Sequence, residues 1–60
     1  MSKLKTLRME KGKTLEELAR ALKITPQGVS SQEKAGIKKL TTAAKYAAIL
    51  DCSPLELLDL

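Results

Sequence analysis

The sequence predicts an all-α chain folded as a compact bundle of five short helices. Three observations predict it. Apolar residues recur three and four positions apart, side chains able to cap a helix start (Thr14, Thr25, Ser53) stand ahead of three of these runs, and proline directly follows two of those caps. No stretch alternates apolar and polar residues as a half-buried strand would.

The first helix is expected over residues 3–11, where Leu4 and Leu7 lie three apart with Arg8 and Lys11 outside; Gly12 supplies the flexible residue favoured just past a helix end. Thr14-Leu15-Glu16-Glu17 fits a capping box, in which the threonine hydroxyl accepts from a backbone N–H and the glutamate three residues on reaches back. The second helix follows, its inner stripe being Leu15, Leu18, Ala19 and Leu22. Thr25 and Pro26 start a third helix running to about Ala35, polar apart from Val29 and Ala35 and therefore expected at the surface.

Gly36-Ile37-Lys38-Lys39 reads as a basic connection. The fourth helix, residues 40–50, is expected to be the central one, with Leu40, Ala43, Ala44, Ala47, Ala48 and Leu50 covering more than half its circumference. Ser53-Pro54-Leu55-Glu56 repeats the arrangement of cap, proline and third-position glutamate, and opens a fifth helix of one or two turns through Leu60.

Sixty residues, 43% of them apolar but only Tyr46 aromatic, supply one thin aliphatic core, so the expectation is a single domain spanning residues 1–60 that gains from a partner chain. With no histidine and a single cysteine, a His/Cys metal site and a histidine-based triad lack their atoms, and an internal disulfide cannot form. Glu16 and Glu17 point about 100° apart on a helix with no pocket between them, and Gly12-Lys13-Thr14 lacks the earlier glycine of a phosphate-binding loop. The expectation is no enzyme, no cofactor, no metal and no small-molecule ligand. The lone Cys52 reads as a small buried hydrophobe. The absence of a leader-like segment and of any apolar run long enough to cross a bilayer predicts a cytoplasmic chain without membrane contact.

Charge is unevenly placed. Residues 1–50 hold all eleven lysines and arginines against four glutamates, a net +7, whereas residues 51–60 hold three acids and no base, a net −3. A basic body suits a polyanion partner, and the acidic, leucine-rich tail is expected to face away from it.

The most informative unit is 15–34, two short helices joined by Lys23-Ile24-Thr25. Two helices crossing through a tight turn need a small residue at the crossing, an apolar one in the turn and a branched apolar one facing back from the second helix; Ala19, Ile24 and Val29 stand at those places. With these residues the chain resembles the Cro/repressor-type helix-turn-helix proteins of phages and bacteria, sometimes called the xenobiotic-response-element family, whose fold is that of the lambda-repressor-like DNA-binding domain. The resemblance extends through Glu33, late in the second motif helix, and through LTTAAKYAAILDCSPLELL, which is similar to the family's fourth and fifth helices. It departs from the family at Lys23 and Ala35, where glycine is usual, at Leu15, where glutamine is usual, and at Gln32, where an apolar residue is usual.

The resemblance implies sequence-specific binding of double-stranded DNA by a small transcriptional regulator, a Cro-like repressor occupying an operator, with the second motif helix in the major groove. Gln27 and Ser31 would then read base edges with Pro26, Ser30 and Lys34 beside them, a glutamine being able to pair bidentately with adenine. Thr25, Lys38 and Lys39 are the phosphate candidates, joined by Arg8 and Lys13. Four leucines in the last six residues are too many for one face of a short helix; Leu57 and Leu60 are expected at the interface of a homodimer, weak without DNA, on a pseudo-palindromic operator. The competing reading is a protein-interaction module, such as an antitoxin or accessory subunit, that docks a partner through the same leucine-rich tail.

Overall fold

The structure is a computed structural model that describes residues 2–59. Among them are four α-helices and no strand: α1 (Lys3–Glu10), α2 (Leu15–Leu22), α3 (Pro26–Ala35) and α4 (Leu40–Leu50), followed by a 3-10 turn (Pro54–Leu57). The fifth helix expected through Leu60 is thus a single 3-10 turn, and the chain is extended at Leu58. Its start follows the expected pattern: Glu56 Oε2 accepts from the Ser53 N–H at 2.8 Å and the Ser53 hydroxyl from the Leu55 N–H at 3.3 Å. What stops it is tertiary. Leu58 pairs in a parallel bridge with Ile37, and the Asp59 N–H donates to the Ile37 carbonyl at 2.8 Å.

The other boundaries follow from local chemistry. Ser2 caps α1, accepting from the Lys5 N–H at 3.3 Å, and Gly12 takes φ +70° in the turn beyond it. At α2 the capping box is complete: Thr14 Oγ1 accepts from the Glu17 N–H at 3.1 Å, and Glu17 Oε1 from the Thr14 N–H at 3.0 Å. The helix ends on Lys23 in the left-handed region (φ 60°, ψ 41°), where the residue's Cβ crowds its carbonyl oxygen. Thr25 then caps α3 through the Gly28 N–H at 3.1 Å.

The core is Leu4 from α1, Leu18 and Ala19 from α2, Val29 from α3, Ile37, Leu57, and Ala43, Tyr46, Ala47 and Leu50 from α4. Helix α4 packs on the 3-10 turn, α2 and α1, with its apolar surface aimed differently from expectation. Tyr46 turns inward, while Leu40 is 56% exposed and Ala44 and Ala48 face solvent. The alanine spacing alone left several faces open; the large residues Tyr46 and Leu50 select the one that is buried. Ile37, read as part of a basic loop, is fully buried.

The tail is also corrected. Leu57, expected at a dimer surface, has no exposed area and completes the core, whereas Leu55 is 69% exposed. A 3-10 turn advances its side chains every third residue, and the switch to extended chain at Leu58 leaves Leu57 pointing inward. Leu60 lies outside the described residues. Cys52 is half-buried against the core, and its thiol pKa is raised by burial and then by the nearby carboxylates of Glu56 and Asp51, with Lys11 opposing.

Candidate nucleic-acid interface

Helix α3 packs chiefly on α2, and also on α1, and shows a polar face outward. Val29 and Glu33, four residues apart, are its buried positions; Pro26, Gln27, Ser31 and Lys34 are exposed and Ser30 is half-buried. Gln27 and Ser31, also four apart, therefore stand on the outer side, away from the pair that anchors the helix. Gly28 is exposed too. Ala19 of α2 and Val29 of α3 are both buried in the shared core; Ile24 in the turn is 45% exposed, with its Cδ1 lying along α3 near Gly28.

Glu33 is buried because it has a partner. Arg8 Nε donates to Glu33 Oε2 at 2.5 Å, and Arg8 Nη1 donates to the Lys13 carbonyl at 2.8 Å. One guanidinium thus joins α1, the last turn of α3 and the residue before the α2 cap. Its orientation bears on the phosphate candidates: Arg8 donates to acceptors inside the protein, whereas Lys13 is fixed through its backbone and its ammonium makes no hydrogen bond among the described residues. The same carboxylate lies near Tyr46, whose pKa is raised first by burial and second by Glu33.

At the start of α3, Thr25 Oγ1 is exposed and uses an acceptor site on the Gly28 N–H, which leaves its O–H available to donate outward. At the far end, Lys38 and Lys39 are both exposed. Lys38 Nζ donates to the Asp59 carbonyl at 2.6 Å, and Lys39 occupies the N-cap of α4 without a side-chain cap. Asp59 borders the same open groove as Ser30 and Lys34 of α3 and Lys5 of α1. One acid of the tail therefore stands beside the polar face of α3, contrary to the expectation that the tail turns away from it. The cause is local: the Asp59 carboxylate accepts from the Lys3 N–H at 3.3 and 3.4 Å, at the positive end of α1.

Two residues that the sequence reading passed over shape this surface. Gln32, counted only as a departure from the family, holds the Gly36 carbonyl through Nε2 at 2.7 Å. Asp59 ties α1, Ile37 and Lys38 together. The spacing of Gln32 four residues before a glycine at a helix end could have marked the first; the second joins residues 56 apart and left no local trace.

The helix-turn-helix family profile (HTH_3) matches residues 4–57, nearly the whole chain. The chain belongs to the helix-turn-helix family. The match takes in α2, α3, α4, the 3-10 turn and all of α1 but Lys3, and the function it supports is DNA binding by a helix-turn-helix regulator. The chain matches none of the curated proteins and none of the solved structures with which it was compared. Among the described residues of this helix-turn-helix chain, no group of three or more metal-ligating side chains comes together and no helix is long and apolar enough to cross a membrane.

Proposed function

We propose that this helix-turn-helix chain is a small Cro-like repressor that occupies an operator in double-stranded DNA, with α3 in the major groove. The observation that carries the reading is the division of α3 into two sides. Val29 and the Arg8-paired Glu33 fasten it inward, and Gln27, Ser31 and Lys34 are left exposed with no hydrogen-bond partner among the described residues. A base-reading helix needs such a division, because polar groups already satisfied inside the protein cannot pair with base edges. Gln27 and Ser31 read bases, with Pro26, Ser30 and Lys34 at their margin; Thr25, Lys13, Lys38 and Lys39 position the duplex through its phosphates.

A two-fold pair of copies on a pseudo-palindromic site completes the reading, since such proteins place two recognition helices about one DNA turn apart. With Leu57 inside, the apolar side chains available to a second copy include Leu40 and Leu55. The alternative of a protein-docking module loses part of its support for the same reason: among the described residues of the tail Leu57 is buried and Leu58 half-buried, which leaves Leu55 as the exposed leucine there.

Selection of preferred duplexes from a random pool at physiological salt tests the proposal. A recovered site with two related half-sites, bound with log K falling by about 0.9 per phosphate contacted as log salt rises, is the expected result. Failure to enrich any sequence would refute operator recognition.

A further inference from the structure

The chain leaves α3 along a path gripped from two sides. Gly36 takes φ 81° and ψ 162°, its N–H donates to the Gln32 carbonyl at 2.8 Å, and its own carbonyl accepts from Gln32 Nε2 at 2.7 Å. Gln32 thus holds both polar groups of the residue that turns the chain. On the other side, the Asp59 side chain packs so closely that a Cβ on Gly36 would come within 3.0 Å of it, and Ile37 next door is fully buried. Two residues later come the exposed Lys38 and Lys39.

A family-like apolar residue at position 32 could still accept the Gly36 N–H through its backbone, but it would have nothing to offer the Gly36 carbonyl. The side chain therefore acts on the course of the connection and not on the helix itself. Lys38 Nζ gives one of its three N–H donors to the Asp59 carbonyl and keeps two for a phosphate, and Lys39 is exposed beside it.

We propose that Gln32 is a positioning residue for DNA binding: by gripping Gly36 at both ends it presents the Lys38-Lys39 connection to the duplex backbone without a further loss of chain entropy on binding. This rests on the phosphate role given above to the two lysines. A turn that must first be ordered lowers the apparent affinity by the fraction of time it spends out of place.

The test is a mutant cycle on a random-sequence 20-base-pair duplex, a probe that reports phosphate contacts alone. Gln32→Met keeps length and helix propensity but cannot donate; Gln32→Leu is the second variant should the first fold poorly, and urea unfolding is followed for each. Binding is measured with Lys38 and Lys39 present and with both replaced by alanine. The expected result is a loss of roughly three- to tenfold for Gln32→Met in the lysine-bearing chain and none in the chain without the two lysines. An equal loss in both backgrounds overturns the proposal, because Gln32 would then act on the fold at large, and no loss in either overturns it as well. If replacing the two lysines leaves affinity unchanged, their phosphate role fails, and that outcome is read separately from anything Gln32 does.

Discussion

Arg8 and Glu33, 25 residues apart, form a charged hydrogen bond of 2.5 Å between side chains that are 13% and 7% exposed. This pair fastens α3 to α1, and through Arg8 Nη1 it also sets the backbone of Lys13. Such a pair is informative about geometry more than about net stability, since withdrawing two ions from water costs about as much as their attraction returns.

Removing one partner should therefore hurt far more than removing both. Glu33→Ala leaves a largely buried guanidinium unpaired and should cost about 3 kcal/mol, a large part of the stability of a chain this size. Arg8→Met combined with Glu33→Leu should lie within about 1 kcal/mol of the parent or above it. Urea unfolding of the single and double variants checks this; a double variant as weak as the single would contradict it.

Lys23 sits in the left-handed region at φ 60° and is exposed, so its side chain contributes little to offset the backbone cost. Lys23→Gly should raise stability by about 1 kcal/mol, the strain of a Cβ in that region less the extra entropy of an unfolded glycine. The urea midpoint should rise with an unchanged slope. Asp51 shares the conformation at φ 55°, but aspartate tolerates it better than lysine because its short polar side chain can bond locally.

Gly28 occupies the first turns of α3 with an ordinary helical backbone. A Cβ there would meet Thr25 Oγ1 at 3.4 Å and Ile24 Cδ1 at 3.7 Å, both normal contacts. Gly28→Ala should stabilise the fold by about 0.5–1 kcal/mol through helix propensity alone, read from thermal or urea unfolding. A loss of stability would mean that the cap at Thr25 cannot absorb the contact.

Gln27 and Lys39 should differ in how they fail. Gln27→Ala should cost ~1–3 kcal/mol on the preferred site and relax preference at one base-pair position. Lys39→Ala should weaken all sequences about equally and reduce the salt slope by about 0.9. Binding to a panel of single-base variants separates the two patterns, and a uniform loss for Gln27→Ala would remove it from base reading.

The Glu17 carboxylate is held below its ordinary value of 4.5, chiefly by the Thr14 backbone N–H; desolvation opposes this, and the Thr14 hydroxyl, Lys13 and Arg20 add smaller lowering effects. Because the folded value is depressed, its contribution is present above the unfolded value and is lost as pH falls through the folded one. The urea midpoint should therefore fall below about pH 4.5 more steeply in the parent chain than in Glu17→Gln, which cannot titrate. Parallel curves would show that the capping box carries no charge-dependent stability.

The short-range features of this protein were legible in the chain itself. The caps Thr14, Thr25 and Ser53, the bounds of α2 and α3 and the outward direction of Gln27 and Ser31 all lie where residue spacing puts them, because each depends on neighbours within about four positions. What only the tertiary structure decided involves distant partners. Leu57 is buried because the bridge from Leu58 to Ile37 draws the tail inward, Arg8 turns from solvent toward Glu33, and α4 buries Tyr46 while exposing Leu40. In each of these cases the amino acid admits two environments of similar local energy, and the choice between them rests on which distant surface closes over it.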